Sequence, residues 1–196
     1  MMKRFFDFTV SLLGLVILSP LFLLIAVLMK LTSPGPVFFR QERVGRNFRP
    51  FQILKFRTMV PDAPKLGKQV TAAGDPRITP IGRILRKTKL DEFPQLINVL
   101  KGDMSFVGPR PEVARFVELY RDDFAELLTI RPGITDPASL KYRHEAELLG
   151  RADDPETTYI QVVLPDKIAL AKTYLHHSSF FIDLGLIFKT VFRMAG

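Results

Sequence analysis

Two adjacent carboxylates lie in the stretch Lys89-Leu90-Asp91-Glu92-Phe93-Pro94-Gln95-Leu96, where the residue pattern predicts the start of a helix. Asp91 is predicted as the N-cap and Glu92 as the first helical residue, with Pro94 in the first turn, where its missing N–H costs little. The helix is predicted to end at Gly102. The ordinary interpretation is a capping aspartate with an acidic first turn. The functional alternative is that an ionised carboxylate at a helix N-terminus attacks phosphorus or binds a metal.

The composition restricts the class of protein. The chain has 196 residues, of which 47% are hydrophobic, and its formal net charge is +8. This length suits one domain with a core of its own, and the basic balance favours nucleic acid, anionic lipid or phosphorylated ligands as partners. The chain has no cysteine, which excludes disulfides, thiolate catalysis and cysteine-based metal sites.

The apolar segment Phe5–Met29 is long enough to cross a bilayer, since ~20 apolar residues suffice. Its length, and the lack of a small-residue cleavage site after it, argue against a cleaved signal peptide. Basic residues flank both ends, which by the positive-inside rule draws both ends to the cytoplasm. Pro20 near the middle removes a backbone hydrogen bond and kinks a helix, while Ser19 can satisfy the freed carbonyl. These residues alone leave a spanning helix and a re-entrant helix equally open.

The remaining chain predicts a mostly helical α+β fold. Val37–Val44 and Phe51–Met59 have the pattern of two strands in a hairpin. Ile81–Lys87 predicts a short basic amphipathic helix that rests either on an anionic membrane or on the core. A longer core helix is predicted over Glu112–Leu128. Phe180–Met194 predicts a helix too apolar for a solvated surface, so it is either buried or at a membrane interface.

Six short motifs cover most of the chain: Arg43-Val44-Gly45-Arg46, Lys55-Phe56-Arg57-Thr58-Met59, Leu90-Asp91-Glu92-Phe93-Pro94-Gln95, Asn98-Val99-Leu100-Lys101-Gly102-Asp103-Met104-Ser105, Val107-Gly108-Pro109-Arg110-Pro111 and Arg131-Pro132-Gly133-Ile134-Thr135. Each is weak evidence, but the ordered set closely resembles the bacterial sugar transferases, the small monotopic phosphoglycosyl transferases. The resemblance implies a re-entrant N-terminal helix broken at Ser19 and Pro20. It divides the chain into residues 1–31, the membrane helix, and residues 32–196, a catalytic domain with interfacial amphipathic helices and a short β-hairpin.

The resemblance also implies a reaction at the cytoplasmic face of the bacterial inner membrane. A phosphosugar passes from a UDP-sugar to a polyprenol phosphate, with undecaprenyl phosphate as the expected acceptor, and UMP leaves. This is the first membrane step of a bacterial glycoconjugate pathway. Asp91 is implied as the nucleophile that forms a phosphosugar–aspartyl intermediate, and Glu92 as the ligand of a Mg²⁺ cofactor. The residues implied in phosphate or nucleotide binding are Arg86, Pro109, Arg110 and Pro111. Membrane lipids are expected partners, and the prediction allows for a homodimer.

The chain departs from the family pattern over Asp136–Arg143, where larger members carry a glycine-containing continuation. It also resembles a minimal catalytic form, without the additional N-terminal helices and domain of those members. A different class of function is a non-catalytic, membrane-bound module that binds polyanions or nucleic acid. Against it, the cations are spread along the chain and no nucleic-acid-binding motif occurs, so nucleic acid is not predicted as a partner.

Overall fold

The computed structural model describes residues 2–63, 71 and 74–195, and this part of the chain is mostly helical with two small sheets, as predicted. A long N-terminal helix precedes a β-hairpin and a helical region that holds one short parallel strand pair. The helices are α1 Met2–Thr32, α2 Pro80–Lys87, α3 Gln95–Lys101, α4 Ala114–Leu119, α5 Arg121–Leu127, α6 Pro137–Lys141, α7 Glu145–Gly150, α8 Pro155–Thr158, α9 Leu164–His177 and α10 Phe180–Ala195. The strands are β1 Phe38–Val44, β2 Pro50–Phe56, β3 Ser105–Val107 and β4 Gly133–Thr135.

The predicted hairpin is confirmed. β1 and β2 pair antiparallel in a register that places Phe39 opposite Lys55 and Arg43 opposite Phe51. Asn47 lies in the connection with a left-handed φ of 54°, a conformation that asparagine tolerates better than most residues. The hairpin therefore fixes two cations, Arg43 and Lys55, on neighbouring strands.

The predicted single helix over Glu112–Leu128 is wrong, because the chain forms two helices, α4 and α5, that meet at Tyr120. Tyr120 has φ −130° and ψ 41°, which is not helical. Its hydroxyl donates to the carbonyl oxygen of Ile160 at 2.9 Å. Glu112 precedes α4, and its carbonyl oxygen accepts the amide of Val44 at 3.0 Å. Tertiary hydrogen bonds at both places override the helical periodicity of the sequence.

The largest apolar cluster packs α4 and α5 against α9 and the turn before it. Its fully buried members include Val117, Leu127, Val163 and Leu164. Tyr120 packs against the same cluster, which explains why the break between α4 and α5 is held in place.

The N-terminal end of α1 is bound to the domain by polar contacts. The Nζ atom of Lys3 donates to the carbonyl oxygen of Val107 at 2.9 Å and lies 2.8 Å from Oδ2 of Asp183 in α10. The guanidinium of Arg4 donates to the carbonyl oxygens of Val99 at 2.5 Å and Leu100 at 2.7 Å. These carbonyls lie at the C-terminal end of α3, where a cation is favoured.

The C-terminal end of α1 is bound to the same domain. Met29 is buried in an apolar cluster with Phe56 of β2 and Leu85 of α2. Just after the helix, the guanidinium of Arg57 donates to the carbonyl oxygens of Pro34 at 2.5 Å and Ser33 at 3.2 Å. Both ends of one long helix are therefore attached to one domain.

The middle of α1 continues as a helix through Ser19 and Pro20. The Ser19 hydroxyl donates to the carbonyl oxygen of Val16 at 2.8 Å, the carbonyl that Pro20 leaves without a helical N–H partner. Within the described residues, α1 is the one helix long and apolar enough to cross a membrane. Its outer face is apolar and exposed, with Leu31 at 78% exposure.

The two other helices predicted at an interface also present apolar side chains to the outside. Ile84 of α2 is exposed, as are Phe181 and Phe192 of α10, while Asp183 and Leu186 of α10 are buried. α10 thus has one face in the core and one face outside, which removes the interpretation of a wholly buried helix. Large exposed apolar side chains grouped on a helix are typical of a protein or membrane interface, and placement at a membrane stays a prediction.

Candidate active site

The two carboxylates lie in a 3₁₀ turn, Leu90–Glu92, and not at the start of α3. The prediction that Asp91 is the N-cap and Glu92 the first helical residue is therefore wrong, because Pro94 takes the N-cap position of α3. The reason is Lys89, whose left-handed φ of 58° turns the chain directly after α2. α3 ends at Gly102, with φ 94°, as predicted. Burial and nearby cations, rather than a helix terminus, set the ionisation of these carboxylates.

Glu92 is held by two cations from different parts of the chain. Its Oε1 accepts Nζ of Lys55 at 2.8 Å, and Nη1 of Arg110 lies 3.2 Å from its Oε2. A second nitrogen of Arg110, Nη2, also contacts Oε1. Burial alone would raise the pKa of Glu92, but Arg110 and Lys55 outweigh burial and hold the pKa well below its usual range. Glu92 is therefore ionised and largely neutralised.

Asp91 has the opposite environment. It is 8% exposed, and its Oδ1 is buried without a hydrogen-bond partner among the residues that the structure describes. Burial raises the pKa of Asp91 and the charge of Glu92 raises it further, while Lys55 and Arg86 oppose the increase. A buried carboxylate oxygen without a partner is costly and calls for an explanation. An incoming electrophile or cation supplies one.

Arg86 is placed near Asp91 by the close approach of α2 to the end of the hairpin. Its Nε donates to Oγ1 of Thr58 at 2.8 Å. Gly82 permits this approach, because a Cβ at that position would lie 2.1 Å from the carbonyl oxygen of Thr58. Burial lowers the pKa of Arg86, and the negative charge of Asp91 counteracts it. The guanidinium is thus one of the cations that face the carboxylates.

The turn around Arg110 has a fixed backbone. The carbonyl oxygen of Pro109 accepts the amide of Gly133 at 3.0 Å, and the carbonyl oxygen of Pro111 accepts Nη1 of Arg43 at 3.0 Å. Gly133 must be glycine here, because a Cβ would lie 2.1 Å from the backbone nitrogen of Gly108. Both prolines are buried and limit backbone freedom. Pro109 and Pro111 therefore support the turn, and Arg110 carries its charge to Glu92.

A cavity of about 490 Å³ adjoins Glu92. Glu92, Pro109 and Arg110 line it, together with apolar side chains from α1, α3, α9 and α10. The divergent segment 136–143 also lines it through several residues, including the buried Asp136, whose Oδ1 accepts the amide of Ser139 at 2.7 Å. Burial raises the pKa of Asp136. The place where the chain departs from the family pattern is thus a wall of the cavity beside Arg110.

Of the six predicted site residues, the structure brings Asp91, Glu92, Arg86 and Arg110 to one place, and their roles stay predictions. Lys55 belongs to this group and was not anticipated. The sequence feature that indicates its role is a lysine in a strand between the buried residues Ile53 and Phe56. A charge in that setting needs a partner of opposite charge. The predicted break at Ser19 and Pro20 lies away from this group, in the middle of α1, where the helix continues without interruption.

Residues 1–196 match the family described as "Bacterial sugar transferase". The chain belongs to this family. The resemblance inferred from the six motifs is thereby confirmed, and with it the prediction that the protein is a sugar transferase enzyme.

Several curated relatives have named activities. The UDP-N-acetylgalactosamine-undecaprenyl-phosphate N-acetylgalactosaminephosphotransferase of Aeromonas hydrophila is 39% identical over 96% of this chain and 42% of its own length. The UDP-glucose:undecaprenyl-phosphate glucose-1-phosphate transferase of Escherichia coli (strain K12) is 37% identical over 98% of this chain and 40% of its own length. The exopolysaccharide production protein PSS of Rhizobium leguminosarum bv. phaseoli is 39% identical over 97% of this chain and 93% of its own length. The chain thus spans less than half the length of the first two of these relatives and nearly all of the third.

The environment of Asp91 leads to a prediction about its titration. We expect the Asp91 carboxyl to titrate above the ordinary aspartate range, because burial and Glu92 both raise its pKa. Lys55→Met should move the pKa further upward, because it removes a cation that favours the carboxylate. Carboxyl ¹³C NMR measures this, and Asp91→Asn assigns the resonance. Lys101→Met, at an exposed position of α3, is the control that should leave it in place. An unmoved Asp91 titration in Lys55→Met would contradict the electrostatic account.

Proposed function

We propose that this bacterial sugar transferase moves a phosphosugar from a UDP-sugar to a polyprenol phosphate and releases UMP, with Asp91 as the nucleophile. The observation that supports it most directly is the contrast within the carboxylate pair. Asp91 offers a buried oxygen without a hydrogen-bond partner among the described residues, while Glu92 is already engaged by Lys55 and Arg110. The relatives named for UDP-sugars and undecaprenyl phosphate supply the substrate classes.

In the first step, a carboxylate oxygen of Asp91 attacks the phosphorus next to the sugar. A new aspartyl oxygen–phosphorus bond forms, the bond from that phosphorus to the bridging oxygen breaks, and UMP leaves with the electron pair. The donor diphosphate and the attacking carboxylate are both anionic, so their repulsion must be offset. Lys55, Arg86 and Arg110 supply fixed positive charge where the negative charge develops.

In the second step, an oxygen of the polyprenol phosphate attacks the same phosphorus. The bond to Asp91 breaks, the carboxylate is regenerated, and the product is a polyprenol diphosphosugar. Such a covalent route divides one displacement into two. It also lets the soluble donor and the membrane-bound acceptor use the same carboxylate in turn.

Mg²⁺ is part of the proposal, with Glu92 as its protein ligand. Among the described residues, no group of three or more His, Cys, Asp or Glu side chains comes together. Mg²⁺ ordinarily binds one or two carboxylates plus substrate phosphates, so two adjacent carboxylates fit its ligand chemistry. Within the described part of the chain, Oε2 of Glu92 accepts one hydrogen bond, from Arg110, which leaves it a further lone pair. Bound Mg²⁺ would neutralise diphosphate charge and polarise the reacting phosphoryl group.

The proposal places the enzyme on one face of the membrane, with α1 dipping into the bilayer from the cytoplasmic side. Lys3 at one end of α1, and Ser33 just beyond the other end, make hydrogen bonds to the same domain. A spanning helix would carry its two ends to opposite sides of a hydrocarbon core about 30 Å thick. The exposed apolar face of α1 then contacts lipid, and α10 lies at the interface. A homodimer stays a prediction.

The alternative of a non-catalytic binding module differs in a measurable way. A module that holds polyanions through a net charge of +8 does not release UMP. It also does not require Asp91, because removing a carboxylate from a basic surface favours anion binding.

Asp91→Asn tests the function directly. With a UDP-sugar panel, polyprenol phosphate and Mg²⁺, the wild type should release UMP. Asp91→Asn should lower turnover by about 10⁴-fold or more, as loss of a nucleophile typically does. Intact-mass analysis without acceptor should show a phosphosugar adduct on the wild type only. Asp103→Asn, a change outside the carboxylate pair, is the matched control. Near-normal turnover of Asp91→Asn would remove the nucleophile assignment.

The metal proposal has its own test. We expect EDTA to abolish UMP release and added Mg²⁺ to restore it, because the donor diphosphate needs charge neutralisation. Glu92→Gln should raise the Mg²⁺ concentration required for half-maximal activity or stop turnover, since it removes the proposed ligand charge. Full activity in excess chelator would rule out a metal role.

The topology can be tested by thiol labelling, because the chain has no cysteine. Single cysteines at Met2, Lys30 and the exposed Glu118 in α4 report the two ends of α1 and the domain. The cells are treated with an impermeant thiol reagent before and after the membrane is opened. Met2→Cys and Lys30→Cys should be protected in intact cells and labelled in opened cells, as Glu118→Cys is. Labelling of Met2→Cys in intact cells, with Glu118→Cys protected, would mean that α1 spans the membrane.

A further inference from the structure

Two buried side chains, Glu112 and Tyr159, form a connected group with the half-buried Arg43 that the proposed mechanism does not use. Glu112 is 7% exposed and Tyr159 is 5% exposed. Oε1 of Glu112 accepts the Tyr159 hydroxyl at 2.7 Å, and its Oε2 lies 3.4 Å from Nη1 of Arg43. The two oxygens of this carboxylate therefore have separate partners, one in the hairpin and one in the helical core.

Arg43 connects this group to the turn that carries Arg110. Its Nη1 donates to the carbonyl oxygen of Pro111 at 3.0 Å, and the next residue of β1, Val44, donates its amide to the carbonyl oxygen of Glu112 at 3.0 Å. Two successive carbonyls after Arg110 are thus held by two successive residues of one strand. The turn cannot shift without breaking both bonds.

Tyr159 provides the fixed end of the group. It is the first residue of a π-helical turn, Tyr159–Val163, and such turns are rare and occur frequently at functional sites. Its ring packs on Phe116, with ring centroids 5.1 Å apart. The neighbouring carbonyl of Ile160 is held by the Tyr120 hydroxyl at 2.9 Å. The Tyr159 hydroxyl is therefore presented to Glu112 from a well-packed part of the core.

The charges show why this arrangement matters for Arg110. Glu112 lies two residues from Arg110 in the chain. Its carboxylate is held by Arg43 and Tyr159. Burial lowers the pKa of Arg43 and the charge of Arg110 lowers it further, while Glu112 counteracts both effects. Glu112 thus offsets a cation that would otherwise repel Arg110.

We propose that Glu112 is a positioning residue that acts with Arg43 and Tyr159 to direct the Arg110 guanidinium toward the donor diphosphate. The proposal rests on the proposed function, because it takes the UDP-sugar as the ligand of Arg110. It assigns Glu112 no contact with substrate, so its whole effect passes through Arg110.

A double-mutant cycle with the full chain in lipid nanodiscs tests this. The readouts are the KM for the UDP-sugar, kcat and the Kd for UMP. In the wild-type background, Glu112→Gln should raise both the KM for the donor and the Kd for UMP by about tenfold, because a hydrogen bond to a charged group contributes about that much. Tyr159→Phe should raise both less. In an Arg110→Ala background, the same substitutions should change UMP affinity less than about twofold, because coupled residues are not additive.

The control is Glu118→Gln, which removes a carboxylate paired with Arg121 on the exposed side of α4 and should leave KM unchanged. An equal loss of UMP affinity from Glu112→Gln with and without Arg110 would overturn the proposal and leave Glu112 a purely structural role. If Glu112→Gln fails to fold, Tyr159→Phe carries the same cycle, because it removes one hydroxyl and leaves the Arg43–Glu112 pair. An absence of UMP release by the wild type would instead overturn the proposed function, and the positioning proposal with it.

Discussion

The ion pairs of Glu92 with Lys55 and Arg110 are the constraint on which the rest of this structure depends. They join three separate parts of the chain: the second strand of the hairpin, the 3₁₀ turn after α2, and the proline-flanked turn after β3. Removing one partner would leave the other charge uncompensated in a partly buried setting, which destabilises the arrangement. The pairs therefore hold these three segments in one arrangement. Because Asp91 directly precedes Glu92, its position is fixed by the same pairs.

The carboxylate pair also shows how one short sequence supports two roles. Asp91 and Glu92 are neighbours, yet burial dominates the first and cations dominate the second, so their pKa values move in opposite directions. Pairs of titratable groups with divergent environments are a common sign of divided labour in an active site. Here the cations favour the ionised form of Glu92, while Asp91 keeps one oxygen without a hydrogen-bond partner among the described residues.

The attachment of α1 has a consequence for the chemistry. The helix is bound at its N-terminal end to β3, α3 and α10, and at its C-terminal end to the hairpin and α2. The segments that carry Arg86 and Lys55 are thus directly packed on α1. A fixed depth of α1 in the bilayer would set the height of Asp91 relative to a lipid phosphate, and small offsets in such a geometry reduce rates strongly.

The sequence by itself determined the family, the hairpin, the long apolar helix, the Gly102 helix end and the gathering of Asp91, Glu92, Arg86 and Arg110. These follow from local signals: alternation, apolar length, turn residues and ordered motifs. Only the tertiary structure decided that the carboxylates lie in a 3₁₀ turn, that Tyr120 divides the predicted helix over Glu112–Leu128, and that Lys55 belongs to the site. In each case the deciding hydrogen bond or ion pair joins residues distant in sequence, or depends on a backbone angle that periodicity does not encode. Buried charges find partners by packing, and packing is a property of the folded chain.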